Sequence, residues 1–523
     1  MANGRLPALR LASLAALALV AAVISPAAAA VPDGPTLARM DRVIEDGMGS
    51  SGMPGFAVAV VSGGDVVHAR GFGDAGGGRR VTPQTPFVLG STAKSFTALA
   101  AMQLVDAGRL ELDAPARRYV PEFRLADQRA ADRITVRQVL QQTTGLPETA
   151  GGPVVRSAAD GTALEALREL GDASPAAPPG DAFEYSNGNF ILAGLIVERA
   201  SGQPYGEYVQ RHIFAPLGMR NSYVALDAAQ RAGLATGHRY WFGFSREHGP
   251  TFRAGIQSAG YLISSAADMG RYLAMYLDDG LGPGGQRIVS RAGLQTMLAP
   301  GRPGRLGAWA DHADARYAMG WFVGGPWSEP AQLHPGRAPD SSALMVMFPR
   351  RDLAVVTLTN AANQLAVPGY PASVDRVERN AVDALIGDPI ESGTSLHRFY
   401  LLFDLIALAL LAAAARSLVH AARELRGSAR PRRRAAAIAG VAVRAILGLV
   451  LLALPALTLG WQASWLWQPD LSTVIVLMGV LLLVTAALRL GPLVRRAQDH
   501  AGASGYTGTP PTEAAPSSAS VAR

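Results

Sequence analysis

Of the 48 lysine and arginine residues in this 523-residue chain only one is lysine, Lys94, and it follows Ser91 by three positions. A guanidinium keeps its proton inside a protein, whereas an ammonium can be tuned by its surroundings to release it. A serine hydroxyl, in turn, is a poor nucleophile until a neighbouring base takes its proton. Three residues are about one helical turn, so Lys94 returns to the face that carries Ser91, and the unpaired N–H groups of a helix start suit an oxyanion.

Two later stretches supply groups that such a pair needs. Tyr185-Ser186-Asn187 follows the turn Pro178-Pro179-Gly180. An ammonium beside a tyrosine favours the phenolate, which can act as base toward Ser91 or protonate a leaving group. Asn187 is placed to bind a substrate amide carbonyl and to hold Lys94. His334-Pro335-Gly336 comes just before a strand expected at Leu344. Glycine there lets the strand approach a substrate, and the Arg337 N–H can pair with that of Ser91 as an oxyanion hole, a role closed to Pro335, which has no N–H.

The elements that must position these residues follow from periodicity. An opening helix is expected over Thr36 to Met48, then two strands, Gly55 to Val61 and Asp65 to Ala69, joined by Ser62-Gly63-Gly64 as a hairpin. Phe87-Val88-Leu89 delivers the chain to Gly90, after which Phe96, Leu99, Ala100, Met102, Gln103 and Val105 recur at helical spacing. From Leu110 to about Leu298 the pattern predicts helices with long loops, including one helix running from Ser258 to Tyr276. Strand character returns at Leu344 to Phe348 and Leu353 to Leu358, and a helix follows from Ser373 to Ile386. Strands at both ends with helices between predict one sheet assembled from the two termini, and a helical second lobe.

With Ser91-x-x-Lys94, Tyr185-x-Asn187 and His334-x-Gly336 in this order, the chain resembles the serine β-lactamase and penicillin-binding protein family over about residues 36 to 390. It is most similar to the branch holding class C β-lactamases, D-stereospecific peptidases and related esterases. The resemblance implies an α/β (α+β) fold with a mainly antiparallel sheet and a helical lobe, and the site between them. It also implies acylation of Ser91 and hydrolysis of the acyl-enzyme, with no metal and no cofactor. Lys94 and Tyr185 would share proton transfer, with Asn187, His334, Gly336 and Arg337 as binding and electrostatic supports. Two positions depart from the pattern. His334 stands where class C β-lactamases have lysine, which favours an ester or D-peptide over a β-lactam unless Arg337 supplies the charge. Gln142 stands where relatives often have histidine, and no catalytic role is assigned to it.

Composition sets the surroundings. With no cysteine, disulfides, thiolate nucleophiles and Cys-ligated zinc are all excluded. The net charge of +7 is carried by the ends: Arg5 and Arg10 precede residue 31, and 13 arginines against five acidic residues follow Leu396. The middle is mildly acidic, so the basicity reads as membrane topology and not as a nucleic-acid surface. Residues 1–30 have the basic start, apolar run and Ala28-Ala29-Ala30 site of a signal peptide. Residues 31–395 form the expected hydrolase domain, 396–490 a three-helix transmembrane region, and 491–523 a disordered cytoplasmic tail. The apolar runs Phe399 to Ala415, Ala435 to Gly460 and Leu471 to Leu488 approach the roughly 20 residues a span needs. Seven arginines lie between the first two and none between Trp461 and Asp470, placing the former loop in the cytoplasm and the hydrolase domain outside the cell membrane. Trp461, Trp465 and Trp467 then fit the outer interface. Partners are a small-molecule or cell-wall peptide substrate and membrane lipid. The rival expectation is a penicillin- or cell-wall-fragment-binding sensor that signals through its helices.

Overall fold

The computed structural model describes residues 31–147, 161–249, 253–304, 314–362, 373–392, 395–426, 434–458 and 461–504. The expected signal peptide lies outside them. Helix α1 (Gly34–Ser51) is started by Asp33, whose carboxylate accepts from the Thr36 N–H at 2.9 Å. The chain then enters a hairpin of β1 (Gly55–Ser62) and β2 (Asp65–Gly73). The other five strands of the same sheet come from the far end of the domain: β3 (Arg316–Tyr317), β4 (Phe322–Gly324), β5 (Ala331–Ala338), β6 (Ser341–Phe348) and β7 (Leu353–Thr359). The order is β2-β1-β7-β6-β5-β4-β3, antiparallel throughout, with Phe56 opposite Thr359 where the two ends meet.

Every residue of β1, β6 and β7 is buried, so both faces of the sheet are covered. On one face α4 (Ala266–Leu277) lies against β1, its Gly270 close to the Ala59 side chain. On the other, α5 (Ser373–Ile386) crosses β6 and β7 and packs on α1, with Gly47 against Val377. The helical lobe is centred on α2 (Ala93–Asp106) and α3 (Asn187–Ser201). Eleven of the 14 residues of α2 are buried, as suits a helix enclosed on most sides rather than one with a wet face.

Three expectations are corrected. The His334 segment does precede the Leu344 strand, but it is itself a strand that was not anticipated, lying within β5 with Pro335 opposite Leu344 of β6. A proline is tolerated there because β4 pairs with β5 only as far as Leu333, leaving the ladder one-sided beyond it. The supposed helix from Ser258 to Tyr276 is broken: Gln257–Gly260 is helical, Ile263–Ser264 pairs with Phe87–Val88, and α4 starts afresh at the cap Ser265, whose side chain accepts from the Asp268 N–H. The stretch read as helices and loops also holds a hairpin, Gly237–Trp241 with Phe244–His248, whose first strand runs parallel to Ala361–Ala362.

The C-terminal part has three helices long and apolar enough to cross a membrane, over Leu396–Leu425, Ala436–Leu457 and Pro469–Arg495. They belong to α6 (Leu396–Arg426), α7 (Arg434–Thr458) and α8 (Pro469–Ser504). Gly448 and Gly479 bring the α7 and α8 backbones together, since a Cβ on Gly448 would fall 3.0 Å from the Gly479 carbonyl oxygen. The helix does not give way to a disordered tail at 491, because residues 493–501 are mostly good helix formers and carry α8 on to Ser504. Leu396 to Leu402 and Trp461 to Gln468 belong to the same compact unit as the sheet, where Leu396 and Tyr400 are buried.

Candidate active site

Ser91 sits in a single 3-10 turn, Gly90–Thr92, that leads directly into α2. Gly90 has φ of 55°, and a Cβ there would collide with the backbone nitrogen of Arg337. From the other side, a Cβ on Gly336 would collide with the Leu89 carbonyl oxygen. The Ser91 turn and β5 are therefore pressed backbone to backbone, and each contributes the glycine that permits it. This puts the Arg337 N–H beside the Ser91 turn, as an oxyanion hole requires. Gly336→Ala is expected to cost at least tenfold in kcat with a Tm drop of several degrees, read by kinetics and melting on the same preparation.

About one turn after Ser91, as the second residue of α2, Lys94 is fully buried, and its Nζ lies 2.9 Å from Ser91 Oγ, 2.9 Å from Asn187 Oδ1 and 2.6 Å from the Ala259 carbonyl oxygen. The two latter atoms can only accept, so each holds a lysine proton. Toward Ser91 Oγ, Lys94 can present either a third proton or, as the neutral amine, its lone pair. Tyr185 Oη is also 2.9 Å from Ser91 Oγ, and the Lys94 ammonium lies 5.0 Å from the centre of the Tyr185 ring. The serine hydroxyl thus has two proton-transfer partners in direct reach.

Tyr185 and Asn187 are held by a network that the sequence did not reveal. Gln142, fully buried with φ of 57°, accepts from the Ser186 N–H at 3.0 Å and from Asn189 Nδ2 at 2.6 Å, while its carbonyl accepts from the Glu184 N–H at 2.8 Å. Thr144 closes the set by donating to Asn189 Oδ1 at 2.7 Å. Gln142 is a positioning residue for the 184–187 loop. The Tyr185 ring is fixed further by Phe183 and Tyr317, each with its centre 6.5 Å away.

Two expected electrostatic supports are corrected. His334 is fully buried, and burial together with the Lys94 charge pushes its pKa down to about 3. Its Nδ1 donates to the Pro335 carbonyl oxygen at 2.7 Å, which leaves Nε2 as acceptor toward Tyr317 Oη at 3.4 Å. It is a neutral imidazole and brings no positive charge. The Arg337 guanidinium is paired with Asp375 of α5, so only its main chain remains for the site.

Against β6 and β7 the same helix buries Glu378, which accepts from Ser342 Oγ at 3.1 Å and from Thr357 Oγ1 at 3.4 Å. Burial raises its pKa from 4.5 to about 8, with the Arg337 charge opposing. The folded state thus favours the protonated acid, so this contribution to stability is complete below pH 4.5 and is lost as pH rises through 8. Glu378→Gln removes the titration. Its stability is expected to match wild type near pH 4.5 and to exceed it increasingly up to pH 8, by up to about 1.4 kcal/mol per pH unit, with Tm rising in step. Melting curves across that range check this.

A serine in a turn at a helix start, an enclosed lysine and a tyrosine thus lie together where the antiparallel sheet meets the helical lobe. The β-lactamase family model matches residues 40–376, and the chain belongs to that family. It is 30% identical over 313 residues to penicillin-binding protein 4 of Amycolatopsis lactamdurans, covering 59% of this chain and 81% of the relative. A structure of the octameric penicillin-binding protein homologue from Pyrococcus abyssi matches with TM-score 0.58 and 27% identity, over 68% of this chain and 78% of that one. The fold is shared also with EstCE1, a hydrolase with promiscuous acyltransferase activity, at TM-score 0.54 and 22% identity, over 67% and 98% of the two chains.

Proposed function

We propose that this protein is a membrane-anchored serine hydrolase, with its catalytic unit on the extracytoplasmic side, acting through an acyl-enzyme on an ester or a D-amino-acid peptide. The observation that carries this is Ser91 Oγ lying 2.9 Å from both Lys94 Nζ and Tyr185 Oη. Ser91 Oγ attacks the substrate carbonyl carbon as its proton passes to the Lys94–Tyr185 pair, and the negative oxygen is met by the Ser91 and Arg337 N–H groups. The proton then goes to the leaving group as its bond to the carbonyl carbon breaks, leaving an acyl-Ser91 ester. Water attacks that ester with the same pair as base, releasing the acid and restoring Ser91. Asn187 holds Lys94 and offers its amide nitrogen to a substrate carbonyl.

Ester or D-peptide is favoured over β-lactam because neither His334 nor the Arg337 guanidinium offers a free cation to a substrate carboxylate. The arginine-rich loop between α6 and α7 supports the outward orientation. The second reading, a sensor signalling through its helices, is supported by the close packing of α7 on α8, more structure than a tether requires. The purified full chain, assayed in parallel on an acyl ester, a D-alanyl peptide and a chromogenic β-lactam, tests the substrate class. Multiple turnover on one of the first two, at a kcat/KM at least tenfold above the third, is expected. A β-lactam preference overturns the substrate reading, and a single stoichiometric burst with every substrate favours the sensor.

A further inference from the structure

The hairpin Gly237–Trp241/Phe244–His248 is not used by the chemistry, and its tip is built unusually. Its two-residue turn is Phe242-Gly243, with φ of 49° and 78°, so an aromatic side chain occupies a left-handed position normally filled by Asn, Asp or Gly. Flanking that turn, Trp241 is 38% and Phe244 63% exposed. A strained turn that presents large apolar rings to the outside calls for an apolar or interfacial partner.

The surroundings say which partner. Gly243 packs on Tyr400, where a Cβ would fall 2.8 Å from Tyr400 Cβ. Tyr400 is the fifth residue of the first apolar span, and the neighbouring Leu401 and Leu402 are each 60% exposed. On the hairpin's first strand, Arg239 donates to the carbonyl oxygens of Leu466 at 2.8 Å and Trp465 at 3.3 Å. These belong to the short helix Trp461–Trp467, between the second and third spans, whose Trp461 and Trp465 are themselves 42% and 38% exposed. The hairpin is therefore tied both to the start of the first apolar span and to the short helix between the second and third. Arg246, exposed on the return strand, stands 5.8 Å from the Phe244 ring, the arrangement of an aromatic body with a cation at phosphate level.

We infer that the Trp241–Phe244 tip seats in the lipid headgroup and upper acyl region of the bilayer, forming with Trp461 and Trp465 one interfacial belt that fixes the catalytic unit on the membrane surface. The base of the hairpin reaches the active-site strand, since the His238 N–H donates to the Asp340 carbonyl oxygen at 3.1 Å and Asp340 lies in the turn between β5 and β6. Seating thus holds the oxyanion strand at a set height above lipid. The inference rests on the reading that α6–α8 cross a bilayer.

The absence of cysteine makes the test direct. Phe244→Cys, Val480→Cys in α8 and Arg129→Cys on an exposed face of the catalytic unit are each labelled with an environment-sensitive fluorophore in the full chain. Each is reconstituted in phosphatidylcholine/phosphatidylglycerol nanodiscs containing spin-labelled lipid. The inference expects shallow-label quenching at 244 of at least threefold over the Arg129 site, and deep-label quenching at 480. Quenching at 480 with none at 244 overturns the seating and leaves the spanning reading intact. No quenching at 480 overturns both. An unchanged Tm of each labelled chain shows that the fold carries the probe.

Discussion

Lys94→Arg is expected to lower kcat by roughly 10³-fold, the range lost with a proton-transfer group. The substitution keeps a positive charge, so a purely electrostatic role for Lys94 predicts substantial retained activity. The guanidinium differs in two respects that matter here. It does not surrender a proton, and its planar fork cannot direct single N–H bonds at once to Ser91 Oγ, Asn187 Oδ1 and the Ala259 carbonyl oxygen as the ammonium does. Lys94 is fully buried, so some loss of stability accompanies the change, and a melting curve separates unfolding from lost chemistry. Near-normal hydrolysis by a folded Lys94→Arg protein contradicts the assignment of Lys94 to proton transfer.

Tyr185→Phe carries the second-largest expected effect, a fall in kcat of about 10²- to 10³-fold with KM within threefold of wild type. The ring and its contacts with Phe183 and Tyr317 are preserved, and only the hydroxyl 2.9 Å from Ser91 Oγ is lost. A split by leaving group is also expected. If Tyr185 protonates the departing atom, an amide or alkyl ester, which needs that proton, suffers at least tenfold more than a nitrophenyl ester, which leaves without it. An equal loss on both confines Tyr185 to activating Ser91.

The candidate site residues, which the structure brings together, were legible because their chemistry is uncommon in this composition. A single lysine three residues after a serine is visible without any structure, and the two partner motifs lie in order along the chain. The union of the terminal strands into one sheet was also legible from where strand character starts and resumes. What stayed hidden depended on contacts between distant segments. Gln142 adopts a left-handed backbone and turns its side chain onto Ser186 and Asn189, which no local propensity announces. The charges of His334 and Arg337 follow from burial and from Asp375 on a helix 38 residues further on. The hairpin at 237–248 was missed because Phe242 stands at the first turn position, where Asn, Asp or Gly is usual. By contrast, the break before α4 has a local signal in the cap Ser265 three residues ahead of Asp268.

The account's central claim is that Ser91 becomes covalently acylated. The most direct measurement is intact-mass analysis of the full chain after reaction with a fluorophosphonate, and with a penicillin, in wild type and Ser91→Ala. One adduct on wild type with at least one probe, mapped to the peptide holding Ser91 and absent from a folded Ser91→Ala protein, is predicted. Equal adduct formation by both proteins, or none on wild type with either probe, contradicts it.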